Sequence, residues 1–172
     1  MKKLILCIVI IPFLLVYCER NKDILDPAGN GNHTIKYGTS FGECRGYCKK
    51  DLVIYGRNVT FTATSSIQQQ NAEKSISGQL TENEYQHLLS LIDFDEILKY
   101  DDVIGCPDCT DGGAEWIQVK QDGQTKKITF EYGDTLKTIN KLIEQLRDIF
   151  QSYDKKMFPD LNILQTEKNI VI

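Results

Sequence analysis

The 172-residue chain predicts an α+β domain, an antiparallel sheet of about five or six strands with two helices packed on one face. Three observations carry that expectation. Short segments of period-two alternation lie on both sides of a capped helix, an Asp-Gly turn joins two of them as a hairpin, and the last long apolar pattern repeats at helical spacing.

The elements follow in order. Ile35, Tyr37 and Phe41 lie at even offsets, as on one face of a strand. Residues 52–55 form a short β-rich run that stops at the turn Gly56-Arg57-Asn58, and Val59, Phe61 and Ala63 then alternate with Thr60, Thr62 and Thr64 as a half-buried strand. Residues 65–73 are polar and read as loop; residues 74–80 read as a further strand, interrupted by Gly78. Thr81-Glu82-Asn83-Glu84 is a capping box, in which the Thr hydroxyl accepts from the fourth residue's N–H and the Glu reaches back. Tyr85, Leu88, Leu89 and Ile92 then predict a helix over 82–92, and Phe94, Ile97 and Leu98 a short extra turn. Residues 99–113 are an irregular, acidic, Gly-rich loop.

Ile117 and Val119 share one strand face, and Ile128, Phe130 and Tyr132 a second alternation. Between them Gln121-Asp122-Gly123-Gln124 is a hairpin turn, because Asp-Gly tolerates the positive φ of a type I′ turn. Gly133-Asp134 is expected to cap a last helix whose stripe is Leu136, Ile139, Ile143, Leu146 and Phe150, running to about Tyr153. The tail over 154–172 either adds an edge strand or wanders.

The first residues read as an address. Lys2 and Lys3 precede an apolar run of 13 residues over 4–16, too short for a spanning helix of about 20 residues but right for a signal h-region. No Ala, Gly or Ser occurs before Ala28, so an ordinary signal peptidase lacks its small-residue site. Leu15-Val16-Tyr17-Cys18 resembles a bacterial lipobox, with Tyr17 where a small residue is usual. The resemblance implies a diacylglyceryl group on Cys18, two chains being what stable anchoring needs. The expected organisation is a signal peptide over 1–17, a Gly- and Asn-rich tether over 18–33, one domain over 34–153 and a tail.

Composition excludes several classes. With 41% apolar residues the chain can offset its ordering entropy, so disorder is not its main state. One long apolar run excludes a polytopic membrane protein. The net charge of −4, more negative still once Lys2 and Lys3 are set aside, argues against a nucleic-acid partner.

Beyond Cys7 and Cys18 four cysteines remain, Cys44-x3-Cys48 and Cys106-x2-Cys109. In an exported chain they read first as disulfides. Sequence does not separate the three connectivities. Two crossed bonds are favoured, because a link across about 60 residues is worth roughly 4 kcal/mol in the chain-entropy model and two small rings much less. The alternatives are a four-cysteine zinc site, for which two close pairs are the usual layout, and a redox-active C-x-x-C at Cys106-Pro107-Asp108-Cys109.

The segments Ser40-Phe41-Gly42-Glu43-Cys44-Arg45-Gly46-Tyr47-Cys48 and Gly105-Cys106-Pro107-Asp108-Cys109-Thr110-Asp111-Gly112-Gly113-Ala114-Glu115-Trp116 resemble signatures of uncharacterised small lipoproteins of Bacteroidota-type bacteria. More loosely, Phe41-Gly42-x-Cys44, then Tyr47 and Ile54-Tyr55-Gly56, is similar to a domain of unknown function with an F-G-x-C-P-x-Y opening, Arg45 standing where that family has Pro. The resemblance spans about residues 38–150 and implies a cell-envelope location without a catalytic role.

Other candidates are thinner. Asp101, Asp102, Asp108, Asp111 and Glu115 could offer oxygen ligands to calcium, but their spacing is not that of an EF-hand, and a solvated acidic loop is the plainer reading. Trp116 alternates with Ile117 and Val119 and so faces away from the helices, where it would anchor a partner unless the strand over 34–41 or the cysteine loop covers it. His33 and His87 have no catalytic partner in sight, and no P-loop, G-x-S-x-G, H-E-x-x-H or dinucleotide fingerprint is present. The expectation is a non-enzymatic, lipid-anchored envelope domain without cofactor. Its membrane contact is through Cys18, and it binds a protein or other envelope component through a surface containing Trp116, Asp108, Asp111 and Glu115. The alternative is a zinc-binding or thiol-redox module.

Overall fold

The computed structural model describes residues 33–65 and 73–159. The leader, the lipidation position Cys18, the rest of the tether, the segment 66–72 and the tail from 160 lie outside the described residues. Six strands form one antiparallel sheet in the order β4-β3-β2-β1-β5-β6: β1 Thr34–Ser40, β2 Tyr47–Tyr55, β3 Asn58–Ser65, β4 Glu73–Gln79, β5 Ala114–Gln121 and β6 Gln124–Glu131. Three helices accompany it, α1 Glu82–Ser90, α2 Phe94–Leu98 and the long α3 Asn140–Met157.

The alternation does what period two requires. Ile35 and Tyr37 of β1, Leu52 and Ile54 of β2, Val59 and Phe61 of β3, Ile117 and Val119 of β5, and Ile128 and Phe130 of β6 are buried in one cluster with residues of all three helices. Their neighbours in sequence face away. Phe150 of α3 meets both Tyr37 and Phe61 edge-on, with ring centroids 5.0 and 5.1 Å apart, which seats the helix across the middle of the sheet.

Turn chemistry fixes the hairpins. Asp122 and Gly123 have φ of 50° and 80°, the two positive values of a type I′ turn. The capping box of α1 is complete: the Glu84 N–H donates to the Thr81 hydroxyl at 3.3 Å, and the Thr81 N–H donates to the Glu84 carboxylate at 2.7 Å. The extra turn is a helix of its own, capped by the Asp93 carboxylate, with Ile97 buried beneath it.

Several boundaries differ from the expected ones, and α1 ends at Ser90 rather than 92. β2 begins at Tyr47 rather than 52, because Lys49, Lys50 and Asp51 mask a strand whose Cys48 already points into the interior. Asp134 does not cap α3: its carboxylate accepts from Thr135 N–H at 2.8 Å, and the helix starts only at Asn140 after a short 3-10 turn over Lys137–Ile139. The helix also runs past Tyr153 to Met157, through Asp154, Lys155 and Lys156. It ends just before Phe158, which precedes Pro159 and leaves the helical region as pre-proline residues do. Finally, residues 102–104 lie along the outer edge of β6, where the Ile104 N–H donates to the Thr129 carbonyl and the Thr129 N–H to the Asp102 carbonyl, both at 2.9 Å.

Candidate functional site

β1 is central, and the chain enters it at Thr34. At its other end Ser40 pairs with Lys49 and Ala114, and Ala114 with Glu131. The β1–β2 loop, the loop before β5 and the turn after β6 therefore converge at the end of the sheet opposite the entry point, about 20 Å away at ~3.4 Å per residue.

Both cysteine pairs sit at this end, and both bonds are local: Cys44 with Cys48 and Cys106 with Cys109, at Cα separations of 5.6 and 5.5 Å. The crossed connectivity favoured from sequence is not the one found. The backbone turns tightly enough for near neighbours to meet, helped by positive φ at Gly105, Asp108, Thr110 and Asp111. The four sulfurs are bonded in pairs rather than gathered for zinc, and among the described residues no group of three or more His, Cys, Asp or Glu is placed to hold a metal ion. Two disulfides are the mark of a domain matured in an oxidising compartment. Among the described residues no helix is long and apolar enough to cross a membrane. Without a sulfur staple the two loops are joined by other means. The Gly42 N–H donates to the Asp108 carboxylate at 3.1 Å, and Phe41 packs edge-on against Tyr132 and against Gly113, where any side chain would strike its ring.

Beneath the loops lies a buried ion pair. Glu115 stands on the inward face of β5 beside Ile117 and Val119 and is 0% exposed. Arg147 of α3 meets it bidentately, Nε to Oε1 at 2.6 Å and Nη2 to Oε2 at 2.7 Å. The Tyr37 hydroxyl also donates to Oε1, and the Gly133 N–H to Oε2 at 3.0 Å. These four bonds fill the acceptor capacity of a carboxylate. The late start of α3 serves this arrangement, since the extended segment after β6 brings both the Gly133 N–H and the Asp134 carbonyl, which accepts from Arg147 Nη2 at 2.6 Å, to the pair. Burial first, then the bonded carboxylate, pushes the Tyr37 phenol above its ordinary value; hydrogen bonding to Glu115 does the same for Arg147. Both groups hold their protons, so the cluster positions rather than shuttles.

The pair forms the floor of a partly enclosed cleft of about 370 Å³ between the sheet and α3. Phe41, Tyr132, Tyr47, Cys48, Lys50 and Asp154 line it. Lys50 and Asp154 form a second ion pair at 2.7 Å. Thr39 is buried at the cleft.

The residues singled out from sequence separate. Asp108 is at the site, bridging the loops; Asp111 is exposed on the same loop. Glu115 was expected on an exposed acidic surface and is instead wholly buried, because it belongs to β5 and shares the parity of the core residues. Asp102 is bound to Lys126 at 2.5 Å. Trp116 does face away from the helices, and it lies half-buried across Gly38 of β1 with Lys127 4.5 Å over its ring. His87 is an exposed residue in the last turn of α1.

Tyr37, Thr39, Lys50, Tyr132 and Arg147 were not among the candidates. A signal for the pair existed: Glu115 interrupts an apolar parity, and Arg147 stands four residues after Ile143 and three before Phe150, so opposite charges occupy two faces otherwise meant for the core. No family model matches the chain, and no curated protein matches it.

Proposed function

We propose that this is a lipid-anchored domain of the cell envelope that binds a protein or another envelope component. The carrying observation is polarity: the chain enters β1 at Thr34, while the disulfide-braced loops and the cleft occupy the opposite end of that strand. A tether running from a lipid on Cys18 to residue 33 would leave the loop end facing away from the bilayer, where a partner can reach it. Braced loops on a rigid sheet are the usual carriers of binding. The leader sequence and the two disulfides support an exported address. The saturated Glu115 and the protonated Tyr37 and Arg147 favour binding over proton-transfer chemistry. The test is expression with an alkyne-bearing fatty acid, followed by fractionation and intact mass. Label that is lost on Cys18→Ala, with the protein moving to the soluble fraction, is the expected result. An unlabelled chain that stays membrane-bound after that substitution would overturn the anchor.

A second reading is favoured by one specific feature. Cys106 and Cys109 are both exposed and in C-x-x-C spacing, so an incoming thiolate could attack one sulfur and displace the other. Equilibration with a glutathione redox buffer and thiol counting by mass would support it if this bond is half-reduced within the buffer's range, and exclude it if the bond stays intact.

A further inference from the structure

We infer that the cleft between the sheet and α3 is a site for an uncharged sugar residue, an inference that rests on the domain being a binding module and names what its cleft takes. Charge comes first. Each cation in the cleft already faces a carboxylate, Arg147 with Glu115 and Lys50 with Asp154, so the lining offers no net attraction to an anion and none to a cation. A charged ligand would have to displace one of these pairs; a neutral one would not.

The lining is not apolar either, which disfavours a fatty chain. Hydrogen-bonding groups are spread around it: the Thr39 hydroxyl, the Arg147 guanidinium, the Gln151 amide and the Lys50 ammonium. That mixture of donors and acceptors at several heights suits a ligand with many hydroxyls. The aromatic residues supply the other half of the match. Tyr132, 53% exposed, lines the cleft with Phe41 and Tyr47, and its ring is the one most open to the C–H face of a pyranose.

Preorganisation completes the argument. Arg147 is locked by Glu115 and the Asp134 carbonyl, Phe41 is wedged between Gly113 and Tyr132, and Cys48 is tied to Cys44. A weakly binding neutral ligand gains most from such rigidity, since little freedom is left to lose on association. A volume of about 370 Å³ lies in the small-molecule range.

The experiment is a titration of the 15N-labelled full chain in detergent micelles with N,N′-diacetylchitobiose, cellobiose and maltose, alongside sodium glucuronate and sodium acetate. The expected result is that at least one neutral disaccharide shifts the Gly133 amide and the Arg147 Nε–H. Binding should be unchanged between roughly 50 and 500 mM salt, as screening leaves an uncharged ligand untouched. Tyr132→Ala, at an exposed position, should weaken it by about tenfold or more, while Tyr55→Ala, exposed elsewhere on the sheet, leaves it intact. Gln151→Ala provides a second, helix-borne variant expected to weaken binding. Silence toward all three disaccharides, or salt-sensitive binding of glucuronate alone, would overturn the assignment, as would sugar binding that survives Tyr132→Ala. Failure here leaves the fatty-acid labelling result untouched, so a wrong ligand class and a wrong anchor are told apart.

Discussion

Breaking the Glu115–Arg147 pair should cost differently depending on which partner is removed. Glu115 is 0% exposed and the Arg147 side chain 20% exposed. Arg147→Met leaves a wholly buried carboxylate with two donors, the Tyr37 hydroxyl and the Gly133 N–H, and no countercharge. Glu115→Gln leaves a guanidinium that can still reach water and the Asp134 carbonyl. Removing one partner of a buried pair costs roughly 3–5 kcal/mol, so Arg147→Met belongs near the top of that range and Glu115→Gln near the bottom. The double variant leaves a neutral amide whose oxygen can accept from the Gly133 N–H and whose NH2 can donate to the Tyr37 hydroxyl oxygen, and it should cost at least about 2 kcal/mol less than the sum of the singles. Urea unfolding with disulfides intact, followed by circular dichroism and Trp116 fluorescence, measures all four corners of the cycle. A loss of ~3 kcal/mol should also appear as a fall of about 10 °C in Tm. If Glu115→Gln proved the costlier change, or the two were additive within about 0.5 kcal/mol, the pair would not be the coupled, desolvated unit described.

Gly38→Ala builds a Cβ 2.5 Å from the Trp116 ring, so the indole should lift from the sheet, with red-shifted emission and a loss of about 1–3 kcal/mol; unchanged emission would deny the contact. Cys106→Ser with Cys109→Ser should cost no more than about 2 kcal/mol, because a short ring restrains the unfolded chain little, and a loss near 4 kcal/mol would point to a long-range crosslink instead. The same bond should open before Cys44–Cys48 under limiting phosphine, read by mass, since Cys48 is only 5% exposed and both Cys106 and Cys109 are exposed. Tyr37 holds its proton more tightly folded than unfolded, so its stabilisation is complete below an ordinary phenol value of about 10 and declines as pH rises past it, by up to ~1.4 kcal/mol per pH unit. Tyr37→Phe should flatten that decline in urea midpoints taken through the alkaline range; an equal slope in both proteins would refute the assignment.

The fold was legible where a single physical period dominates. Val59, Phe61 and Ala63 alternate cleanly, Thr81 and Glu84 spell out their own cap, and Asp122-Gly123 names its turn. It was less legible where tertiary contacts override the local pattern. β2 carries Lys49-Lys50-Asp51 near its start, whose charges suggest solvent, yet Lys50 reaches across to Asp154 of the helix. Asp134 has the side chain of a helix cap, but the helix starts only at Asn140 and the Asp134 carbonyl is engaged by Arg147. The site was hidden for a related reason. Glu115 was grouped with its acidic neighbours in sequence, although strand parity already separated it from them. The sulfur connectivity depended on backbone turns at Asp108, Thr110 and Asp111, residues whose left-handed conformations composition does not announce.

The segment over 102–104 has a consequence for how these molecules behave when crowded together. By occupying the backbone groups of Thr129 it blunts the β6 border, leaving β4, among the described residues, as the border open to a neighbour's main chain. That border carries Glu73, Lys74, Ser75, Ser77 and Gln79, with Lys74 drawn over the rings of Tyr47 and Phe158. Charged, hydroxylated rims of this kind resist growth of one sheet onto another. Copies packed side by side should therefore remain separate rather than fuse into ribbons.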